Sequence, residues 1–399
     1  MNIQYDAVVV GGRVAGAGTA LLLARSGLSV AVVDRARRGT DTVSTHAFMR
    51  AGVLQLDRWG LLPAVRAAGT PPVRRTLFHY PGQTVQVTIR PSAGVDALYA
   101  PRRTVLDPIV LDAAAEAGAH VLERTAVVGL LHEGDRVAGV RVRAADGVER
   151  VIRGRLTIGA DGIRSDVAAA VAAPLERSAA ASGAVLYAYR AGLPTAGYEW
   201  AYGQGAAAGL IPTNGGLTCV FAGSSPERYH AARRRGAEAA LRELFAAAAP
   251  EHVARFDGSA LVGPVHGWAG VTGFVRRSWG PGWALVGDAG YFKDPITTHG
   301  MTDALRDAEL LSRAVVVALS SSVAESDALA AYQRKRDTLS ERLFDVTDRI
   351  AAYRWSPAEA SGLLREAGSA MTDEVEFLQQ LHSRGGSVGS GRVGDTPVL

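Results

Sequence analysis

The stretch from Tyr5 to Asp34 constrains the fold more than any other part of the chain. Tyr5-Asp6-Ala7-Val8-Val9-Val10 is a short β-branched run that stops at Gly11. Ala17 to Arg25 is rich in alanine and leucine, Gly27 ends it, and Ser29 to Val33 is a second apolar run. The order is strand, turn, helix, strand. Such a unit brings the helix N-terminus, with its unpaired N–H groups and positive dipole end, against a diphosphate. It leaves Asp34, at the tip of the second strand, where a carboxylate accepts from a ribose hydroxyl. Asp34 follows Gly16 by about the twenty residues that this pairing requires. In Gly11-Gly12-Arg13-Val14-Ala15-Gly16 an arginine takes the middle glycine position, where backbone approaches the pyrophosphate. Either Gly12 relaxes the turn or Arg13 turns its side chain outward. Taken alone, the segment leaves open whether the dinucleotide is a flavin or a nicotinamide.

Two later stretches decide between them. Leu156-Thr157-Ile158-Gly159-Ala160-Asp161-Gly162 reads as a strand ending in an Asp-Gly turn. Trp283-Ala284-Leu285-Val286 reads as a buried strand ending at Gly287-Asp288-Ala289, with Asp294-Pro295 and His299-Gly300-Met301 following. Gly300 to Ser320 is then a long helix, apolar at Ala304, Leu305, Ala308, Leu311 and Val315, with Asp303, Arg306 and Asp307 outward. In order and spacing the three stretches resemble the FAD-binding fold of para-hydroxybenzoate hydroxylase and its relatives, the group A flavoprotein monooxygenases. That superfamily also holds geranylgeranyl-reductase-like enzymes. The resemblance covers residues 4 to 345, dense at the cofactor motifs and thin in the substrate region.

It implies an α/β fold: a Rossmann-like FAD-binding domain of the glutathione-reductase type, discontinuous over 1–72, 98–181 and 276–345. An inserted antiparallel-sheet substrate domain is expected from 73–97 and 182–275, and C-terminal helices over 346–382. FAD is the implied cofactor, and NAD(P)H the transient reductant, docking without a second Rossmann domain. Gly11, Arg13, Val14 and Ala15 would sit at the pyrophosphate turn, Asp34 and Arg35 at the ribose, and the backbone of Val127 at the adenine. Asp161 would fix backbone around the pyrophosphate. Arg103, in an Arg-x-x-Leu context, would lie against the FAD, or else form a surface ion pair. Asp288 would bind the ribityl chain. Pro295, Gly300 and Met301 would face the pyrimidine edge of the flavin, where a helix N-terminus suits the negative charge of the reduced ring. The family commonly shows Pro-x-x-Gly-x-Gly-x-Asn here, whereas Pro295 to Thr302 lacks the first of those glycines and the asparagine.

The resemblance also points to reactive and substrate groups. The loop Asp41 to His46 would pass beside the ring system, so that Thr45 and His46 face flavin or substrate. A histidine with an ordinary pKa near 6.5 could deprotonate a phenol or enol, and a structural hydrogen bond is the alternative. Of 43 basic residues only Lys293 and Lys335 are lysine, which reads as a compositional bias. A lysine surviving it inside the late motif is a catalytic candidate at the cavity entrance, unless it is there by chance. His299 joins it at the helix start. Val185, Tyr187 and Tyr189 alternate, as do Tyr198, Trp200 and Tyr202, so each trio points to one sheet face. Tyr187, Tyr202, Pro212 and Phe221 are therefore candidate substrate contacts, with an ordinary sheet core as the competing reading.

The rest of the sequence removes other classes. With 48% apolar residues and no run near the roughly 18 that span a bilayer, a large two-domain enzyme is expected, without a membrane span or secretory signal. The net charge of +4 is small for 399 residues and the basic residues form no stripe, which argues against nucleic-acid binding. Cys219 is the only cysteine, so no internal disulfide forms and a reducing cytoplasm is expected. Nine scattered histidines show no HExxH or Cys-partnered spacing, and no metal is expected. A monomer or homodimer is expected, and the Gly- and Ser-rich tail should be disordered. The expected activity is FAD-dependent monooxygenation, with NAD(P)H and O2, of an aromatic, polyketide-like or other electron-rich small molecule in secondary metabolism. Tyr198-Glu199-Trp200 partly echoes an aromatic motif of geranylgeranyl reductases and suggests a rival, reduction of a prenyl-type double bond. A catalytically silent, redox-sensing flavoprotein is a third reading.

Overall fold

A computed structural model describes residues 4–383; the expected disordered tail falls outside the described residues. An eight-stranded sheet forms the first layer, in the order Trp279–Gly280, Trp283–Leu285, Glu149–Gly159, Gln4–Val10, Val30–Val33, His120–Leu122. The hairpin Ala126–Glu133 and Arg136–Arg143 folds onto it through the Glu149–Gly159 strand. From Trp283–Leu285 to His120–Leu122 the strands run parallel. Parallel strands are covered on both faces, which is why Ala7 to Val10 and Val30 to Val33 are buried without alternation.

The register sets the site. Val10 pairs with both Val33 and Gly159, and Gly159 with Leu285. Four strands thus end side by side, and Gly11, Asp34, Asp161 and Asp288 all follow within two or three residues of those ends. The sequence motifs scattered over some 280 residues meet at one sheet edge.

A seven-stranded sheet forms the second layer, ordered Ala260–Trp268, Ala184–Ala191, Thr218–Ser224, Ala206–Pro212, Tyr198–Gly203, Arg75–Tyr80, Gln83–Thr88. It is antiparallel except where Tyr198–Gly203 runs parallel to Arg75–Tyr80. Tyr187 pairs with Phe221, Phe221 with Gly209, Gly209 with Trp200 and Trp200 with Phe78. Cross-strand partners share a face, so these rings form one wall, packed toward the first layer with Tyr189, Tyr198 and Tyr202. Leu186, Ala208, Leu210 and Val220 occupy the other face, under helices Pro226–Arg233 and Ala237–Ala248. The first of these helices starts at Pro226, and Ser225 accepts from the Arg228 N–H and caps it.

Pro212 belongs to the parity of Leu210, opposite to Phe221, so the substrate wall expected from Tyr187, Tyr202, Pro212 and Phe221 loses that member.

The helix Gly300–Ser320 crosses beneath the sheet edge, and Glu325–Ala351 and Pro357–Ser383 pack against it. Asp303, Arg306 and Asp307, expected outward, are all buried. The wheel that places them opposite the apolar stripe is right about the face; the two C-terminal helices then cover that face. Arg336, on the helix Glu325–Ala351, is buried against the Arg276 to Ser278 segment, where it bonds the Arg276 carbonyl and Ser278, and it pairs with Asp337.

Gly209 is the gap in the aromatic row. A methyl group there would lie 2.2 Å from the Phe221 ring and 2.9 Å from that of Trp200. Gly209→Ala is expected to destabilise the fold by about 1–3 kcal/mol through overpacking, measured by denaturant unfolding. An unchanged midpoint would show that the wall yields.

Candidate functional site

Three close approaches bind the motifs together. Gly11 has φ 105°, and a Cβ there would lie 2.4 Å from the Ala160 carbonyl oxygen. A Cβ at Gly16 would fall within 1.9 Å of the Gly11 oxygen, and one at Gly287 within 2.9 Å of the Ala15 methyl. Arg13 resolves its own ambiguity by turning away: its guanidinium reaches Asp107 at 3.5 Å and the Asp41 carbonyl at 3.3 Å. Its backbone is extended, with φ −90° and ψ −173°, and no side chain caps the helix Val14–Arg25 that follows. The first-turn N–H groups of this helix are therefore free for an anion.

Beside this turn a cleft enclosing about 320 Å³ is lined by Gly12, Asp34, Arg37, Arg38, Asp107 and Glu123, among others. Asp34 accepts from the Gly12 and Ala36 N–H groups, each at 2.7 Å, which fixes its carboxylate at the mouth. Arg35 is exposed, and Arg37 and Arg38, two and three positions on, reach the cleft instead. Val127 lies half-buried in the hairpin strand, paired with Val142. Asp161 is taken up locally, accepting from Ser165 at 2.6 Å and from the Asp166 and Val167 N–H groups at the start of helix Asp166–Ala170. Arg103 forms an ion pair with Asp107 at 2.8 Å, within its own helix Arg103–Glu116.

Asp288 is the informative carboxylate. It is half-buried and makes no hydrogen bond among the described residues. Burial pushes its pKa up to about 6 against the pull of Lys293 and Arg103. An acid left in that state at a strand end fits a missing hydroxyl partner. The helix Gly300–Ser320 opens toward the same region: His299 gives it no side-chain cap, and a Cβ at Gly300 would meet nothing within 4 Å. Free N–H groups at two helix starts, a fixed carboxylate and an unpartnered one are the fittings for a dinucleotide with a polyol chain and an anionic ring.

Thr298 stands where the resembling family has its first glycine, and it adopts the glycine's left-handed backbone at φ 53° and ψ 40°. A β-branched residue is rarely found there, so the chain keeps the local geometry against a steric cost.

Next to these residues lies a second pocket. Thr45, Val185, Phe221, Trp268, Pro295 and Tyr353 contribute to its walls. Of the expected substrate residues only Phe221 lines it. Tyr187 instead accepts from the Ser44 N–H at 3.3 Å and stacks on His266, and Tyr202 packs between Tyr80 and Trp355. Met301 contacts the Ser44 hydroxyl. Trp268 and Tyr353 carry no signal in the sequence beyond their residue type, whereas Thr298 is marked only as a departure from the motif's first glycine.

His46, adjacent to Thr45, is buried with φ 69° and bonds Tyr189 through Nε2, while its Nδ1 has no partner. Burial, with Arg103 nearby, pushes its pKa down to about 3. A neutral imidazole of that kind positions neighbours well and collects protons poorly, which weakens the expected general-base role.

Lys293 and His299 belong to a buried ion network, not to a cavity entrance. Lys293 bonds Asp303, and Arg306 lies 3.0 Å from Asp303, 2.7 Å from Asp307 and 3.1 Å from Glu374. His299 Nε2 meets Glu374 at 2.6 Å. Burial and Arg306 push the Lys293 ammonium down to about 7. Burial works to raise the Glu374 carboxyl, but His299 and Arg306 hold it at about 2. Two groups with metal-ligand chemistry gather in the fold, His299, Asp303 and Glu374, and His79, Glu199 and His252. In both, protein cations already pair the carboxylates: Arg306 and Lys293 in the first, Arg255 on Glu199 at 2.9 Å in the second.

Fold and fittings together define an FAD-dependent oxidoreductase. Residues 4–347 match the family described as FAD binding domain, and the chain belongs to that family. It is similar to digeranylgeranylglycerophospholipid reductase of Methanosarcina mazei, 26% identical over 353 residues, 85% of this chain and 82% of that protein. The reductase 2 of Methanopyrus kandleri is 28% identical over 376 residues, 88% of this chain and 85% of its own. Among solved structures, flavin-dependent brominase Bmp2 superposes with TM-score 0.78 at 18% identity, covering 96% of this chain and all of that one (100%). PqsL of Pseudomonas aeruginosa, a probable FAD-dependent monooxygenase, gives 0.76 at 23%, covering 91% of this chain and 100% of its own. These structural likenesses speak to the fold. No helix among the described residues is long and apolar enough to cross a membrane.

Asp288→Ala is expected to weaken FAD retention at least about tenfold, the loss of a charge-assisted hydrogen bond worth about 1.5–3 kcal/mol. Equal flavin-to-protein ratios after gel filtration would refute the assignment. His46 supplies a pH test. Its folded pKa is held below the unfolded 6.5, at about 3, so the stability due to the neutral ring is complete above pH 6.5 and drains away as pH falls toward 3. His46→Asn tolerates the left-handed backbone and does not titrate. Its melting temperature should fall less than the parent's between pH 6.5 and pH 4, each taken relative to its own value at pH 7. Parallel curves would place the acid sensitivity elsewhere.

Proposed function

We propose that the protein is an NAD(P)H-dependent FAD monooxygenase that adds one oxygen to a compact, electron-rich aromatic or polyketide-like molecule. The observation that carries this reading is the second pocket. It lies where the Asp294 to Thr298 segment meets the aromatic wall and has Phe221, Trp268 and Tyr353 in its lining. Aromatic side chains in a pocket wall offer flat apolar surface for an aromatic ring, with few polar groups to orient it.

FAD, when bound, supplies the electron transfer from NAD(P)H and the activation of O2. The chain's own residues hold and shield. Helix Val14–Arg25 offers N–H groups to the pyrophosphate, Asp34 and Asp288 accept from sugar and ribityl hydroxyls, and the start of helix Gly300–Ser320 favours negative charge on the reduced ring by about 0.3–1 kcal/mol. The aromatic sheet face excludes water from the reacting end. Burial keeps both His46 and Tyr189 neutral, and the bond between His46 Nε2 and the Tyr189 hydroxyl holds the loop of Thr45 against the sheet.

A second reading, reduction of an isoprenoid double bond, is supported by the names of the curated relatives that match most of the chain. One experiment separates the two. The FAD-loaded protein is reduced anaerobically with NADH or NADPH and supplied with a panel of phenolic, polyketide and isoprenoid compounds, first without and then with O2, with products weighed by mass spectrometry. Monooxygenation predicts substrate-stimulated O2 uptake and a product heavier by one oxygen atom. A product heavier by two hydrogens, formed without O2, supports the reductase. No stimulation of NAD(P)H oxidation by any compound, isoprenoids included, would leave a flavoprotein without enzymatic turnover.

A further inference from the structure

The second pocket contains polar groups that the protein itself leaves unused. Tyr353 lies in the short link between helices Glu325–Ala351 and Pro357–Ser383, beyond the residues matched by the family. It is 7% exposed, and its hydroxyl makes no hydrogen bond among the described residues. Its backbone is held at φ 53°, a strained value for an aromatic residue. The residues opposite, Gly223 in a strand and Gly183 just before one, are glycines: a Cβ at Gly223 would lie 2.4 Å from the Tyr353 hydroxyl oxygen, and one at Gly183 would lie 2.9 Å from the ring. Room for this side chain has been made on the sheet, at a cost in local backbone conformation on the link.

Trp268 contributes to the same pocket, and its Nε1–H, a group that can only donate, is buried without a partner. The pocket's carboxylate does not serve it. Asp294 accepts from the Gly183 N–H at 2.6 Å through one oxygen and from the Ile296 N–H at 2.9 Å through the other. Burial raises the Tyr353 phenol well above its ordinary range, so it remains a neutral donor at working pH. Strain gathers here as well. Of the six non-glycine residues with positive φ among the described residues, Thr298 and Tyr353 line the pocket, and His46 directly follows Thr45 of its wall. Such outliers collect where surrounding structure enforces a functional geometry.

We propose that Tyr353 and Trp268 are substrate-binding residues that clamp an acceptor oxygen, a carbonyl or phenolic group, of an aromatic substrate lying against Phe221. The proposal rests on the second pocket being the substrate site. A hydrocarbon chain would leave both donors buried and unpaired, whereas an oxygenated ring satisfies them. Specificity for the substrate's oxygen would then come in part from Tyr353, outside the family-matched segment, and in part from Trp268 within it.

Matched ligands that differ by one oxygen test this: 2-naphthol against naphthalene, and 1-tetralone against tetralin. Each is titrated into the FAD-loaded parent, Tyr353→Phe and Trp268→Phe, following the flavin absorbance. The parent is expected to prefer the oxygenated member of a pair. Each variant should bind that member about 3- to 10-fold more weakly, the loss of one neutral hydrogen bond, with affinity for the hydrocarbon and FAD content unchanged. An equal loss for both members, a loss of FAD, or a parent that binds neither member of either pair would overturn the clamp and leave Tyr353 as packing. A parent that shows the oxygen preference yet yields no oxygenated product in turnover would sink the monooxygenase reading while leaving the clamp in place.

Discussion

The structure depends on the register of four parallel strands. Val33, Val10, Gly159 and Leu285 end in line, and each is followed within a few residues by a group that faces the cofactor region. A slip of one residue between any two would turn every side chain of one strand to the opposite face and carry its turn away from the others. The close contacts at the strand ends make such a slip costly. Gly11 against the Ala160 carbonyl, Gly16 against the Gly11 oxygen and Gly287 against Ala15 leave no room even for a methyl group. The crevice at the carboxyl ends of these strands follows from backbone packing before any ligand-binding side chain is considered.

A second constraint lies under that edge. The helix that starts at Gly300 is apolar on one face, yet its charged face is also buried. Removing an ion from water costs several kcal/mol, and a lone buried charge is not tolerated. The network meets this cost by pairing: Arg306 uses its guanidinium on Asp303, Asp307, Glu374 and Ser340, and Lys293 is matched to Asp303. The arrangement fixes the helix in rotation and height, and so fixes where its free N–H groups point.

The cofactor half of the molecule was legible in the sequence because its signals are local. A strand, a glycine turn and an acid at a set distance are short patterns whose geometry the backbone dictates, and Asp34, Gly11 and Asp288 stand where those patterns place them. Arg13 and Thr298 show the limit of pattern reading. Both occupy glycine positions, and in both the backbone goes where glycine would take it, Arg13 by turning its side chain to Asp107 and Thr298 by accepting a left-handed φ. The substrate half was less legible. Alternation in the Ala184–Ala191 and Tyr198–Gly203 strands gave the aromatic face correctly, but Pro212 fell on the wrong parity because nothing local marks which side of a strand end faces the pocket. Trp268, Thr298 and Tyr353 come together only through the pairing of distant strands and the packing of the C-terminal helices. The ordinary pKa expected for His46 failed for a similar reason: burial and Arg103 are properties of the folded surroundings.

Glu374 lies outside residues 4–347, the span that the chain shares with its family. It nonetheless holds His299 and Arg306 at the base of the helix that faces the cofactor. A boundary drawn by kinship is therefore not a boundary of cooperative folding. The family-matched part relies on residues beyond it, so the C-terminal helices can diverge only in step with the charges they neutralise, and transplanting residues 4–347 alone into another chain would carry unpaired ions with it.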